Sequence, residues 1–332
     1  MNATSAALNP AALNPAAAQT APRDPIAKWY RDATVRSAAR IIVPPPASGE
    51  HIFPRSRQPI VDHPLVLARG EEAQSFILMQ SAFKYMYEIG LLETRYVIDC
   101  GLNIVNNKIP HVTNAEKLDA LAVVIDEGYH AHVALDFIIQ MESACGVKAI
   151  EVPQTNGNLD AVDRALRILP PETHYDFQLL SVCLAEHTLT KDLLSVGREK
   201  DTTRSFTQAM TDHVADEGRH AKYFADMVKA HWPRFPEETK RAIGMMLPDY
   251  LDDYLDDDML RAFDRKVLLA AGLSPEETDR VVGETDGRYQ ENARTYILKT
   301  KANLVRLLER IGVMDHEATR ASFLGHSAAP QA

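Results

Sequence analysis

The sequence predicts an all-α protein organised around four long helices, and three observations carry that prediction. Apolar residues recur at helical spacing over long stretches free of proline, strand-like alternation is scarce, and one hexapeptide, Asp-Glu-Gly-x-His-Ala, occurs twice inside such stretches. The copies are Asp126-Glu127-Gly128-Tyr129-His130-Ala131 and Asp216-Glu217-Gly218-Arg219-His220-Ala221, ninety residues apart.

The elements follow in order. Residues 1–24 are Ala/Pro/Asn-rich and repeat Ala-Ala-Leu-Asn-Pro, a composition that builds no core and is expected to be disordered. Residues 25–68 read as a short helix and an extended arm, with six prolines between 41 and 66. A helical domain over 69–324 follows. Its first long helix, 69–107, carries Phe76, Met79, Phe83, Met86 and Ile89 at helical spacing. Thr113 and Glu116 form a capping box that opens the second, 114–145. A short helix over 159–168 interrupts the connection to the third, 172–197, which starts at Pro170-Pro171. A charged turn leads to the fourth, 202–231, which stops before Pro233. Further helices are expected over 236–246, 249–271, 275–283 and 287–311, with Ser274 and Glu277 as a second capping box. They would pack outside the bundle, and 325–332 would be a disordered tail. Two helices, a long 2–3 crossover and two more helices is the ferritin-like four-helix order.

Composition narrows the classes. The 332 residues are 45% hydrophobic and 25% charged, as in soluble domains, and the net charge of -10 opposes binding to phosphate backbones. No apolar run approaches the roughly 20 residues that span a bilayer. The N-terminus lacks a secretory pattern, and Cys100, Cys145 and Cys183 are isolated, so free thiols in a cytoplasmic protein are expected. Neither a nucleic acid nor a membrane is an expected partner.

The repeated motif carries the chemistry. Three residues turn a helix by about 300°, so Glu127 and His130 share one face, as do Glu217 and His220. A chain of this composition contains about one Glu-x-x-His by chance, so the weight lies in the matched flanks and matched places in helices 2 and 4. Leu121, Val124, Ile125, Val133 and Ala134 give the first copy an apolar setting, where unpaired charge is very costly. Two such pairs on two helices are the pattern of a carboxylate-bridged dinuclear metal site. His213 lies on the stripe of Glu217, where helix 2 has Val123, so three imidazoles are expected. Glu186 is the only Glu of helix 3 beyond its first turn. In helix 1, Glu93 matches the depth of Glu127 across the turn at Pro110, whereas Glu88 lies about 7.5 Å further along the axis. Asp126 and Asp216 are placed to accept the outer N–H of a ligand imidazole across the bundle. Gly128 and Gly218 suggest close approach of helices at the metal layer. His132 and His187 point away from the ligand stripes, and the acidic run 251–259 reads as a solvated helix.

Mixed carboxylate and imidazole donors suit iron or manganese. The order Glu93, Glu127-x-x-His130, Glu186, His213-x-x-x-Glu217-x-x-His220 resembles the AurF-type p-aminobenzoate N-oxygenases over about residues 70–230. His213 is the discriminating feature, since reductase small subunits and bacterial multicomponent hydroxylases typically lack it. The resemblance implies two iron ions (Fe2+/Fe3+), O2 as co-substrate, an external electron donor, and oxidation of a primary amine to hydroxylamine, nitroso or nitro products through a peroxo-diferric species. The amine is free or carrier-bound, as in natural-product biosynthesis, and a homodimer is one assembly to test. Tyr85, Glu88, Arg95 and Tyr96 lie near the Glu93 turn and are candidate pocket residues, with Glu88 as holder of a cationic amine. Carbon hydroxylation or desaturation, radical generation and iron storage are the competing readings.

Overall fold

The computed structural model describes residues 25–47, 49–255 and 259–328. The expectation for 1–24 lies outside them, as does that for 329–332; residues 325–328 of the expected tail instead finish a helix. No strand occurs among the described residues, where one isolated parallel bridge pairs His51 with Thr202.

Helix α1 is Pro25–Asp32. The bundle consists of α2 (Glu71–Leu92), continued through a π-helical turn at Glu93–Val97 into α3 (Ile98–Val105), then α4 (Asn114–Cys145), α6 (His174–Val196) and α7 (Arg204–His231). The crossover between α4 and α6 contains α5 (Gly157–Ile168). Outside pack α8 (Glu237–Tyr254), α9 (Met259–Ala270), α10 (Pro275–Arg310) and α11 (Glu317–Ala328). Both capping boxes form, at Thr113 and at Ser274, each with its Glu returning to the cap backbone.

Two expected helix breaks are absent. The expected break between 236–246 and 249–271 is absent, since α8 runs through Pro248 to Tyr254. Proline supplies no N–H to the carbonyl four residues back. That carbonyl, on Gly244, instead accepts the Ser322 hydroxyl at 2.9 Å. Gly244 permits the approach, because a Cβ there would meet Thr319 Oγ1 at 1.9 Å. The expected pair 275–283 and 287–311 is one helix, α10. Of the acidic run, Asp252 and Asp253 are exposed as expected, Leu251, Tyr254 and Leu255 are buried, and 256–258 lie outside the described residues.

The buried apolar side chains form two clusters. One includes Leu92, Tyr96, Val97, Val123, Phe177 and Phe224; the other includes Ile77, Phe83, Met86, Ala134, Phe137, Phe206 and Met210. In each bundle helix the boundary between them falls beside the predicted ligands, so the polar layer is sealed by apolar packing at both ends. The arm contributes Val43, Ile52, Phe53, Ile60, Val61 and Val66 to the second cluster. All three cysteines are free, with Cys100 and Cys183 buried.

Candidate metal centre

Helical period alone brings Glu127 beside His130 and Glu217 beside His213 and His220. Burial of the flanking apolar residues turns both stripes inward, and all seven predicted donors are buried. They converge in two groups, each with its donor atoms within 4.8 Å of one another: Glu93, Glu127, His130, His213 and Glu217, and Glu127, Glu186, Glu217 and His220. Glu127 and Glu217 belong to both groups. The two motif glutamates are therefore shared by two groups that could each hold a cation, one with five donors and one with four.

The distances are those of groups aimed at shared space. His220 Nδ1 lies 2.7 Å from Glu127 Oε1 and 3.5 Å from Glu217 Oε1. His213 Nε2 lies 2.9 Å from Glu217 Oε1 and 3.2 Å from Glu93 Oε1, and His130 Nδ1 lies 2.9 Å from Glu127 Oε2. Yet Glu127 Oε1, both Glu217 oxygens, His213 Nε2 and His220 Nδ1 are buried without a hydrogen bond. Buried polar atoms are almost always satisfied, so these lone pairs require a different partner. Four carboxylates balance two divalent cations, and neutral imidazoles complete the set. The residues fit a pair of metal ions.

The electrostatics of the metal-free cluster show the same need. Burial and the nearby Glu127 charge push the Glu93 carboxyl well above its ordinary range, and burial with Glu217 does so for Glu186. Burial also opposes charge on Glu127, but His220 overcomes it and holds that carboxyl well below the usual value. Against the same burial, the Glu217 and Glu93 carboxylates beside its ring raise His213 to about 10.

Asp126 and Asp216 take the cross-bundle places read from the sequence. His130 Nε2 lies 3.2 Å from Asp216 Oδ2, and His220 Nε2 lies 3.1 Å from Asp126 Oδ2. A carboxylate only accepts, so each Nε2 donates and each Nδ1 keeps its lone pair for the cluster. Sequence reasoning missed what holds these aspartates. Arg219 donates to Asp126 Oδ2 at 3.1 Å and also to Asp216. Trp29 Nε1 donates to Asp126 Oδ1 at 2.9 Å, and the Thr34 hydroxyl and backbone N–H donate to Asp216. The one available signal was Trp29 itself, an indole needing an acceptor in an otherwise polar segment.

The four candidate pocket residues are each engaged within the chain. Glu88 is ion-paired with Lys84 at 2.5 Å, one turn back on its own helix. Tyr96 is buried in the apolar core beside Tyr250. Tyr85 packs its ring edge-on against Phe53, and Arg95 donates to the Gln154 carbonyl. Among the described residues, the two openings set out next are lined by others. A small cavity of about 20 Å³ touches His130 and His213 between Met86, Ile89, Val133 and Met210. A cleft of about 960 Å³ reaches His220 past Trp29, Val123, Asp126, Arg219 and Tyr223. The glycines are corrected: a Cβ at Gly128 or Gly218 would meet nothing within 4 Å, because both face outward. Leu121 and Ile125, read as part of the apolar setting, are exposed. The π-turn that begins at Glu93 was not foreseen; Thr94 Oγ1 donates to the Gly90 carbonyl at 2.6 Å beside it.

Comparison with known families places this arrangement. Residues 43–312, most of the chain, match the family model described as p-aminobenzoate N-oxygenase AurF. No curated protein matches the chain. The chain belongs to the AurF family of O2-dependent di-iron N-oxygenases.

Proposed function

We propose that this member of the AurF family holds two iron ions through Glu93, Glu127, His130, Glu186, His213, Glu217 and His220 and uses O2 to oxidise a primary amine at nitrogen. The observation that carries the reading is the set of buried carboxylate and imidazole atoms that converge without hydrogen bonds. A ferrous pair, when bound there, would supply the two electrons that activate O2, and an external reductant would restore them. The chain supplies the rest. Glu127 and Glu217 belong to both donor groups and would serve both ions. Asp126 and Asp216 fix the imidazole tautomers of His220 and His130. Met86, Ile89, Val133 and Met210 exclude water on the His213 side.

The amine is assigned to the cleft past Val123. The donor group on that side has four members where the other has five, so an ion held there would keep more room for O2. Its volume of about 960 Å³ accommodates an aryl amine, whereas the cavity at His213 does not. The pairing of Glu88 with Lys84 removes the reason to favour a cationic alkyl amine, so an aminoaryl substrate is preferred.

Iron analysis and single turnover of an amine panel test the reading. Two irons per chain and oxygen found on nitrogen by mass analysis support it; product oxygenated on carbon overturns it. Val123→Phe narrows the cleft and is expected to raise KM for aryl amines with iron content retained. An unchanged KM places the entry elsewhere.

A further inference from the structure

The donors of the metal centre are all buried, and apolar packing closes the bundle on either side of them. A protein that delivers electrons cannot touch such a centre, so the electrons must cross part of this chain. An electron crosses covalent bonds and hydrogen bonds far more readily than it jumps between side chains that merely touch.

Two hydrogen-bonded arms lead outward from the donors, one through each cross-bundle aspartate. In the first, His130 Nε2 meets Asp216 at 3.2 Å, and Asp216 is held by Thr34, which is itself buried. That arm ends inside the protein. In the second, His220 Nε2 meets Asp126 Oδ2 at 3.1 Å, and Asp126 Oδ1 accepts from Trp29 Nε1 at 2.9 Å. Trp29 is half-buried. Its ring meets Tyr30 edge-on, with centroids 5.2 Å apart, and Tyr30 is 55% exposed. The Arg36 guanidinium covers both rings, 5.6 Å from the first centroid and 5.3 Å from the second. Arg219 joins the two arms to each other, and the Asp126 arm is the one that goes on to an aromatic ring at the surface.

We propose that Trp29, Asp126 and His220 are the route by which electrons enter the metal centre, and that residues 25–40 form the docking surface for an acidic one-electron carrier protein. The proposal rests on the reading of the site as a redox-active iron pair. Each transfer oxidises one carrier and reduces one ferric ion to ferrous. Two transfers restore the pair, no bond is made or broken, and the three side chains end as they began.

Charge selects the carrier. Residues 25–40 carry Lys28, Arg31, Arg36 and Arg40, all exposed, against Asp32 alone, in a chain whose net charge is -10. Arg31 pairs with Asp32 and Arg40 with Asp136, whereas Lys28 and Arg36 are not ion-paired among the described residues. The acids that line the neighbouring cleft, Glu116, Asp119 and Asp226, stand on α4 and α7 and not on this segment. A cationic patch around exposed aromatic rings steers an acidic partner and orients it. The segment precedes residues 43–312, the part of the chain matched to the family.

Stopped-flow reduction of the ferric, iron-loaded chain tests the proposal, read as loss of ferric absorbance and not as turnover. The probes are a reduced plant-type ferredoxin, which is acidic, and a reduced phenazine, which is neutral and small enough to enter the cleft. Trp29→Phe keeps a ring in place and removes the N–H, while Arg219 still holds Asp126. It is expected to slow reduction by ferredoxin about 10–100-fold, with circular dichroism, iron content at saturation and the phenazine rate unchanged. Lys28→Glu with Arg36→Glu leaves the route intact and reverses the surface. That pair is expected to slow ferredoxin at low salt, by a factor that shrinks as salt is raised. An unchanged ferredoxin rate in Trp29→Phe overturns the route, and one in the charge-reversed pair overturns the docking surface. A loss seen equally with both probes also overturns the route, since it then lies at the iron pair. A parent chain that phenazine reduces and ferredoxin does not rejects the acidic carrier. A parent chain that takes up no iron overturns the reading of the site itself, and the route with it.

Discussion

Helices α4 and α7 carry the same hexapeptide and present the same chemistry inward, yet they differ in everything around it. Each gives one glutamate that belongs to both donor groups and one histidine whose Nε2 reaches the other helix's aspartate. Only α7 adds a third imidazole, His213, where α4 has Val123. Only α7 adds Arg219, where α4 has Tyr129. Only α4 carries an aliphatic outer stripe. The comparison separates what a dinuclear site requires of a helix, which is duplicated, from what makes the site directional, which is not.

The largest expected effect tests the equivalence of the inner faces. Glu127→Ala and Glu217→Ala each remove a carboxylate belonging to both groups, so each strips both ions and abolishes turnover. Glu93→Ala and Glu186→Ala remove donors of one group and are expected to leave about one ion per chain. Metal analysis of the four variants distinguishes the classes. One ion retained in Glu127→Ala would show that α4 and α7 are not equivalent at the metal.

Next is the arginine present in one copy only. Arg219 binds Asp126 and Asp216 together and so orients His220 and His130 at once. Arg219→Met is expected to weaken metal binding 10–100-fold, the usual consequence of losing an outer partner of a ligand. Tyr129→Phe, at the matching position, is expected to change affinity less than about 3-fold. Competitive titration with a metal indicator measures both, and equal losses would remove Arg219 from its bridging role.

The two motifs and their cross-bundle aspartates were legible because helical period and donor chemistry are local properties of the sequence. Glu93 was legible because antiparallel helices place ligands at equal depth. What was illegible depends on distant chain. Trp29 and Thr34 reach the aspartates from a segment without periodicity, so no spacing rule points to them. Pro248 stops a helix by the local rule and fails to here because Ser322 supplies the missing donor. Leu121 and Ile125 looked like shielding for the motif because apolar character in a sequence does not say which side of a helix it covers. Gly128 and Gly218 recur without any crowding at the metal layer within the chain.

The third test uses pH on the metal-free chain. Glu93, Glu186, His213 and His220 all hold protons more tightly folded than unfolded. The contribution of such groups is complete below their unfolded values and is lost as pH rises through the folded ones. For the carboxyls the loss begins near 4.3, and for the histidines near 6.5; for His213 it ends at about 10. Glu127 and Glu217 are shifted the other way, and their contribution is lost on acidification instead. The metal-free chain is therefore expected to lose roughly 5 °C in Tm between pH 6.5 and 9, while the iron-loaded chain, whose imidazoles are already neutral, stays flat. His213→Val copies the α4 residue into α7 and is expected to remove part of that slope. An unchanged slope would assign the effect to His220 and the two raised carboxyls.

The smallest effect is the most selective. Gly128 and Gly218 occupy the same place in the same hexapeptide, in mid-helix, each with open space where a Cβ would stand. Within one chain, alanine at either site relieves the entropic cost of glycine and is expected to stabilise by about 0.5–1 kcal/mol. Nothing within the chain opposes that gain at either place, so thermal melts are expected to show the same rise in Tm for Gly128→Ala and Gly218→Ala. Unequal gains would mean that the outer faces of α4 and α7 differ in what they meet, and that the difference between the two helices extends beyond His213 and Arg219.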